Sequence, residues 1–261
     1  MVSQIGAEAL TLTFLGTRGE TPVRSRRHLR HSSLLLECGR ARIMIDCGAD
    51  WLGRLPRLEP TAIVLTHAHP DHADGLAAGA PCPVYATKTT SNLLGRLPIR
   101  DWRALGPRSP VLIEGVRFEA IPVEHSIRAP AVGYRISTPG GCIFYLPDVA
   151  RLPKAARLLR GVDVYVGDGA SLRRPILRRR EGAFIGHAPM VEQLRWCRRA
   201  GVRLAIFTHC GSQIVRAHAR ELRAELRRLG EEASVEVRVA CDGDQVASPF
   251  GALVPRRTRR R

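Results

Sequence analysis

The sequence predicts an α/β fold in which two mixed sheets are flanked by helices, giving an αβ/βα sandwich of four layers. Strand patterns dominate the first 150 residues, and strands alternate with helices mostly after that point. The chain has 261 residues, of which 44% are hydrophobic and 25% are charged. This length and composition are typical of a soluble globular domain that buries a large core without disulfides.

Short apolar segments bounded by glycine, proline or polar residues predict the strands. The segments cover residues 10–15, 33–37, 41–45, 62–65, 116–123, 131–137, 142–146, 162–166, 204–207 and 235–240. Gly39 marks the turn of one hairpin, and Pro139-Gly140-Gly141 marks the turn of another. The runs at 162–166 and 204–207 are continuously apolar, which is typical of strands buried on both faces.

Helical patterns lie between these strands, at residues 71–79, 153–159, 190–200 and 214–229. The third carries an apolar stripe and ends before Gly201, a residue that often closes a helix. The fourth has leucines on one side and arginines on the other. Its basic side is interpreted as a solvated face, and a binding face is the alternative.

We expect one domain over residues 1–255, followed by a basic, solvated tail at residues 256–261. No apolar run approaches the 18 residues that a membrane-spanning helix requires. The N-terminus also lacks a basic head followed by an apolar stretch. The sequence therefore predicts no membrane span, no secretion signal and a cytoplasmic location. Seven cysteines without a CxxC pair fit reduced, mostly buried thiols.

The formal net charge is +17 at pH 7, and the only lysines are Lys88 and Lys154, so arginine supplies the other cations. Contacts with nucleic-acid phosphates and the codon bias of a GC-rich genome both account for this skew. The aromatic content of 5% is low for a single-strand binding platform. A basic nucleic-acid-binding protein with a secondary metal site is one alternative, and it rests on charge alone.

The strongest motif is Thr66-His67-Ala68-His69-Pro70-Asp71-His72, which follows an apolar strand. Imidazole and carboxylate groups are the ligands of Zn, Mn and Fe in catalytic sites. Their close spacing on a turn lets several side chains converge, and Pro70 stiffens that turn. The cluster therefore predicts a metal site rather than a polar loop.

This HxHxDH pattern resembles the signature of the metallo-β-lactamase superfamily, without a substitution. Three isolated residues, His125, Asp148 and His209, each follow a later predicted strand, in the order that the family shows. Asp46 in Ile45-Asp46-Cys47-Gly48 resembles the family's first motif, which supports the ligands, and we assign Thr66 to the same supporting role.

The resemblance implies two divalent ions, Zn²⁺, Mn²⁺ or Fe. Their ligands would be His67, His69 and His125 for one ion, Asp71, His72 and His209 for the other, and Asp148 as the bridge. Two metal ions can stabilise both the attacking and the leaving oxygen of a displacement. A carboxylate at the second site suits phosphoester hydrolases, so Asp71 is assigned to both metal binding and catalysis.

His187 is the predicted catalytic acid. It lies 22 positions before His209, where tRNase Z and the phosphoribosyl cyclic-phosphate phosphodiesterase carry a histidine thought to protonate the leaving oxygen. Asp168 ends a predicted strand and would support the site. The interval of 23 positions between His125 and Asp148 has no room for the long arm with which tRNase Z grips tRNA.

The N-terminal segment adds two features of the phosphodiesterase branch. Phe14-Leu15-Gly16-Thr17 and His31-Ser32-Ser33 resemble its site-bordering turns, and His31 is a candidate substrate contact. The residues from Arg18 to Arg30 contain no cysteine. We therefore expect the accessory structural zinc of the cyclic-phosphate enzyme to be absent.

A loop rich in arginine is predicted between Asp168 and His187. Arginine forks match phosphate oxygens in a bidentate geometry. Arg173 and Arg174 are therefore candidate contacts to an anionic substrate, and a solvated loop is the alternative.

The favoured function is a dinuclear metal hydrolase that cleaves phosphodiesters. Its substrate would be a phosphate-containing small molecule, such as a cyclic phosphate or nucleotide diester, or a nucleic-acid end. The alternative on the same metals is the hydrolysis of a carboxylic ester, lactone or thioester. The resemblance also allows a homodimer.

Overall fold

The computed structural model describes residues 10–248, residue 250 and the backbone of residues 254–255. The predicted basic tail at residues 256–261 lies outside the described residues. The strands are β1 (Leu10–Gly16), β2 (Ser33–Cys38), β3 (Ala41–Ile45), β4 (Ala62–Val64), β5 (Val84–Ala86), β6 (Trp102–Ala104), β7 (Val111–Ile113), β8 (Val116–Val123), β9 (Ala131–Thr138), β10 (Gly141–Tyr145), β11 (Val164–Asp168), β12 (Ile176–Arg180), β13 (Ala183–His187), β14 (Leu204–Thr208), β15 (Glu236–Val239), β16 (Asp244–Ala247) and β17 (Val254–Pro255).

The helices are short apart from two on the outside of the second sheet. They are α1 (Pro70–Ala73), α2 (Lys88–Leu93), α3 (Ala155–Leu158), α4 (Met190–Ala200), α5 (Ser212–Arg216) and α6 (Ala219–Ala233), with 3₁₀ turns at Ala49–Trp51, Leu55–Arg57 and Asp74–Leu76. In the part of the chain that the structure describes, no helix is both long and apolar enough to cross a bilayer.

Two large sheets form the centre of the fold. The first has the strand order β17-β16-β1-β2-β3-β4-β5-β6, and the second has the order β15-β14-β11-β10-β9-β8-β7. One apolar cluster joins both sheets, with Leu12 and Leu36 from the first and Phe118 and Tyr134 from the second. Two further clusters join each sheet to its own helices. The predicted four-layer αβ/βα sandwich is therefore confirmed.

Strand β2 shows why both faces of a sheet are apolar. Side chains alternate between the faces of a strand. Leu34 and Leu36 accordingly belong to the cluster between the sheets, whereas Leu35 belongs to the cluster under the outer helices. A strand buried on both faces therefore has a continuous apolar sequence rather than an alternating one.

Two predicted helices differ from the structure. The segment predicted at residues 71–79 is a single turn of α-helix followed by a 3₁₀ turn. The helix predicted at residues 214–229 is split into α5 and α6, because the chain is extended at Ala217 and His218. The carbonyl oxygen of Ala217 accepts a hydrogen bond from Nη2 of Arg27 at 2.6 Å, so it does not continue the helical bonding of α5.

The arginine-rich loop predicted between Asp168 and His187 is largely a hairpin. Strands β12 and β13 pair antiparallel, with Arg180 opposite Ala183. The two turn residues, Glu181 and Gly182, have φ values of 50° and 82°. Positive φ at both positions is typical of the tight turns that match the twist of a two-stranded hairpin. This hairpin pairs with neither large sheet.

The remaining differences from the predictions concern short strands, whereas the thiols agree with their prediction. Strands β5, β6, β7 and β16 were not predicted, and each has only three or four residues. All seven cysteines are free thiols, and four of them are buried. The prediction that most of the thiols are buried therefore agrees with the structure.

Candidate metal centre

The predicted site residues lie beyond strand ends at one edge of the sandwich. Asp46 follows β3 and residues 67–72 follow β4, and these two strands are parallel. His125, Asp148 and His209 follow β8, β10 and β14. Strands β10, β11 and β14 are parallel, and β8 runs in the same direction because β8 and β10 each pair antiparallel with β9. Residues distant in sequence therefore meet at one edge.

Three histidines form the first group of ligand atoms. Nε2 of His67 lies 2.9 Å from Nδ1 of His69, which lies 3.4 Å from Nε2 of His125. Nδ1 of His125 donates to the carbonyl oxygen of Gly186 at 3.1 Å, so its Nε2 carries the lone pair. Nδ1 of His67 lies 2.9 Å from Oγ1 of Thr66. Three ring nitrogens thus converge on one point, as a metal ion requires.

A second group lies beside the first, and Asp148 touches both. Oδ2 of Asp71 lies 3.4 Å from Nε2 of His72 and 3.1 Å from Nε2 of His209. Oδ2 of Asp148 lies 2.6 Å from Nε2 of His72 and 3.6 Å from Nε2 of His67. The structure therefore brings together all seven residues to which the resemblance assigned metal ions.

The donor set fits divalent metal ions. Nε2 of His72, Nδ1 of His209 and both carboxylate oxygens of Asp148 are buried without a hydrogen bond among the described residues. Their mutual contacts are short but lack the orientation of a donor toward an acceptor. Leaving buried polar atoms unpaired is costly. A cation that accepts these lone pairs would remove the cost.

The protonation of the first group favours metal binding. Burial is the main cause that lowers the pKa of His69 to about 4, and it also lowers the pKa values of His67 and His125. The three imidazoles are therefore neutral at pH 7. Burial opposes ionisation of Asp71 and Asp148 as well, but the surrounding histidines hold the pKa of each carboxyl below its ordinary value. Both carboxylates are thus ionised.

Asp46 and Thr66 lie behind the ligands. Oδ2 of Asp46 accepts from Nδ1 of His72 at 2.9 Å, which directs Nε2 of that ring toward Asp148. Oδ1 of Asp46 accepts from the backbone N–H of Thr66 at 2.8 Å, and Oγ1 of Thr66 donates to the same carboxylate. Asp46 has a φ of 64° and is fully buried. This costly backbone conformation is typical of functional positions.

His187 lies at the edge of the two groups, and its side chain is 21% exposed. Its Nδ1 donates to Oδ2 of Asp168 at 2.8 Å and lies 3.3 Å from Oδ1 of Asp148. Burial opposes its protonation, but the carboxylates of Asp168 and Asp148 outweigh burial and raise the pKa of His187 to about 9. The side chain of Gln193 holds the backbone N–H and carbonyl groups of Asp168. The sequence analysis missed Gln193, because one glutamine on a helix carries no motif.

A cavity of 620 Å³ opens over these groups. It is lined by His69, His125, His187 and His209, together with Asp71 and Asp148. Residues 19–21 form its opposite rim. A substrate of nucleotide size could therefore reach both groups of ligand atoms and His187 at once.

The substrate contact of His31 stays a prediction, and the structure gives His31 no place in the lining of this cavity. His31 is buried and does not line the cavity over the centre. Its backbone N–H donates to Oδ2 of Asp50 at 2.9 Å, and its carbonyl accepts from Nε1 of Trp51 at 3.1 Å. Asp50 also pairs with Arg18 and Arg24. His31 is therefore held by a partly buried ion-pair network.

The substrate contacts of Arg173 and Arg174 stay predictions as well. Nε of Arg173 lies 2.8 Å from Glu225, and its Nη2 lies 2.8 Å from Glu232, both on α6. These two carboxylates therefore neutralise the guanidinium of Arg173. Arg174 is exposed, and neither arginine lines the cavity over the centre. Sequence reasoning could not find the two glutamates, since they follow more than 50 positions later.

Comparisons with known proteins agree with this geometry. Residues 41–210 match the model of the beta-lactamase superfamily domain. The chain belongs to this superfamily. The predicted resemblance is thus confirmed, and the superfamily fold implies a divalent metal, which the donor set fits.

Individual relatives lie in the same superfamily. The Ribonuclease Z of Methanopyrus kandleri is 29% identical over 268 residues, covering 82% of this chain and 92% of the relative. Among solved structures, the metallo-beta-lactamase fold protein YhfI of Bacillus subtilis has a TM-score of 0.74 and 17% identity, covering 92% of this chain and 100% of its own. A diphosphatase of the PhnP family has a TM-score of 0.72 and 21% identity, covering 93% of this chain and 98% of its own.

Proposed function

We propose that the chain is a dinuclear metal-dependent phosphodiesterase of nucleotide or nucleic-acid substrates. The observation that carries the proposal is the position of Asp148, which touches His72 and His209 on one side and His67 on the other. A carboxylate in this place can bridge two ions. The carboxylates of Asp168 and Asp148 raise the pKa of the neighbouring His187 to about 9.

The ligand assignment follows from the two groups. His67, His69 and His125 would hold one Zn²⁺ or Mn²⁺ ion, Asp71, His72 and His209 would hold the other, and Asp148 would join both. Bound divalent ions would supply an activated water and neutralise charge on the phosphate oxygens. Asp46 and Thr66 orient the ligand rings from behind, which sustains metal affinity.

His187 is the proposed general acid. Because Asp168 occupies Nδ1, the remaining ring nitrogen, Nε2, is free to donate a proton in the cavity. An alkoxide leaves poorly unless it gains a proton, so this donation would speed departure of the leaving oxygen. The similarity to Ribonuclease Z supports RNA as the polymer substrate. A homodimer and a cytoplasmic location stay predictions.

The proposal is tested with bis(p-nitrophenyl) phosphate and a γ-lactone, assayed in parallel with Zn²⁺-, Mn²⁺- and Fe²⁺-loaded protein. We expect hydrolysis of the phosphodiester and two metal ions per chain by elemental analysis. Asp148→Ala should abolish turnover and reduce the metal content, while Asp101→Ala, an exposed carboxylate change, should alter neither. Hydrolysis of the lactone alone, or full activity in Asp148→Ala, would contradict the proposal.

A further inference from the structure

A second cavity of 720 Å³ adjoins the metal-binding groups and is rich in arginine. It shares His69, His125 and His187 with the cavity over the centre. Its other walls carry Arg128, from the loop after β8, and residues 178–180 of the β12–β13 hairpin. We call this cavity the arginine groove.

The charges of the arginine groove are incompletely balanced. The side chains of Arg128 and Arg178 have no hydrogen bond, ion pair or ring contact with any described residue. The guanidinium carbon of Arg179 lies 5.9 Å from the centroid of the Phe184 ring. Nε of Arg180 lies 3.3 Å from Oε1 of Glu181. Because side chains alternate along β12, Arg178 and Arg180 share one face and Arg179 packs on the other. Three cations, Arg128, Arg178 and Arg180, therefore face one carboxylate, in contrast to Arg173, which two glutamates neutralise. An anion would offset the repulsion among these arginines.

The hairpin that carries three of these arginines is fixed to the metal-binding groups. The backbone N–H of Gly186 donates to the carbonyl oxygen of His125 at 3.0 Å, and Nδ1 of His125 donates back to the carbonyl oxygen of Gly186. The backbone N–H of Phe184 donates to Oε2 of Glu124 at 3.2 Å. Strand β13 ends at His187. The arginines thus stand at a set distance from the proposed acid.

The chemistry of the arginine groove selects phosphates rather than bases. Guanidinium forks bind phosphate oxygens in pairs. The lining includes no Phe, Tyr or Trp on which a base could stack. Since the groove shares His69, His125 and His187 with the cavity over the centre, one molecule could place a diester over the centre and a second phosphate in the groove.

We propose that the arginine groove binds phosphates of a polynucleotide strand next to the scissile diester, with Arg128 and Arg178 as the main contacts. This inference rests on the proposed phosphodiesterase function. It predicts a preference for strands longer than a dinucleotide, with little preference for base identity.

The test compares Arg128→Glu/Arg178→Glu with the matched variant Arg40→Glu/Arg117→Glu. Arg40 lies in the β2–β3 turn, and Arg117 lies at the start of β8, about 26 Å along that strand from His125. The metal-loaded proteins are assayed for kcat/KM with bis(p-nitrophenyl) phosphate, a diribonucleotide and a decaribonucleotide. Binding of a fluorescein-labelled decaribonucleotide is followed by anisotropy over a range of salt.

We expect wild-type kcat/KM to rise from the dinucleotide to the decamer. In the groove variant, kcat/KM for the decamer should fall roughly 100-fold, about tenfold for each lost contact, and far more than for bis(p-nitrophenyl) phosphate. Log affinity falls as log salt rises, and the magnitude of this slope should be smaller by about 1.4 in the groove variant, because each lost phosphate contact to a single strand removes about 0.7. The matched variant should resemble the wild type.

Three results would overturn the proposal: equal wild-type kcat/KM for both oligonucleotides, equal losses of the groove variant on all substrates, or equal losses in the matched variant. Failure of the phosphodiesterase function is a different result. In that case no substrate, including bis(p-nitrophenyl) phosphate, is hydrolysed, and the anisotropy measurements still decide whether the arginine groove binds the decamer.

Discussion

Nδ1 of His187 lies 2.8 Å from Oδ2 of Asp168, and this contact determines which ring nitrogen can act in the cavity. Asp168 is fully buried and also accepts hydrogen bonds from the backbone N–H groups of Val149 and Ala170. Its carboxylate is therefore fixed before a substrate arrives. It orients the imidazole, and it helps to raise the pKa of His187 to about 9.

Asp168→Asn should slow the release of poor leaving groups. The amide carries no charge, so the pKa of His187 falls and the imidazolium becomes scarcer at neutral pH. We expect a loss of roughly 100-fold or more in kcat for an alkyl leaving group, and a much smaller loss for nitrophenolate, which needs no proton. The alkaline limb of the kcat/KM profile should move to lower pH, while metal content is unchanged. Equal losses for both leaving groups would argue against an acid role of His187.

The convergence of the candidate ligands could be predicted from the sequence because each follows a strand with a strong apolar signal. His125, Asp148 and His209 are isolated in the sequence, and only their order after strands, together with the family resemblance, linked them to residues 67–72. Arg173 shows the limit of this reasoning. Its partners on α6 are set by tertiary packing, which no local pattern encodes.

The layers of the fold could be predicted from the sequence, but the exposed β12–β13 hairpin could not. The apolar runs of the central strands indicate two buried sheets, whereas the β12–β13 hairpin carries three consecutive arginines and pairs only with itself. Its one signal was the Glu181-Gly182 turn between Ile176-Leu177 and Phe184-Ile185. Glutamate is uncommon at positive φ, so the turn was not evident.

Asp46→Asn should weaken metal binding without removing a ligand. The amide can present its NH₂ group to Nδ1 of His72, which favours the tautomer with the proton on Nε2, the nitrogen that faces Asp148. We expect a loss of roughly 10- to 100-fold in metal affinity, measured by competition with a chromophoric chelator. Thr61→Val, a hydroxyl deletion next to β4, is the control and should leave affinity unchanged. An unaltered affinity in Asp46→Asn would show that Asp46 does not control the tautomer.

Removal of the metals should destabilise the fold. Ions that bind only the folded chain add stability in proportion to RT ln(1 + [metal]/Kd), about 4 kcal/mol at 1,000 times Kd. For a chain of this size we expect a chelator to lower Tm by about 10 °C in a calorimeter, and Zn²⁺ or Mn²⁺ to restore it. In Asp148→Ala the chelator should shift Tm much less. The same chelator shift in both proteins would indicate that the metals bind elsewhere.

His28 should make stability depend on pH. It is fully buried, its Nδ1 donates to Oγ1 of Thr17 at 2.7 Å, and its Nε2 has no hydrogen bond among the described residues. Burial, and to a lesser degree Arg27, lowers its pKa from 6.5 to about 4. Between these values the unfolded chain binds a proton that the folded chain does not, so the free energy of unfolding falls as pH falls.

The check is urea denaturation of metal-free wild type and His28→Asn between pH 7.5 and 4.5. Asparagine keeps a donor for Oγ1 of Thr17 but does not titrate, so the variant should lose less stability over this range, with a difference of about 2 kcal/mol from the proton bound only by the unfolded wild type. Measurement in the metal-free state keeps metal release at low pH from contributing to either curve. Parallel pH profiles in the two proteins would mean that His28 titrates in the folded state as it does in the unfolded chain.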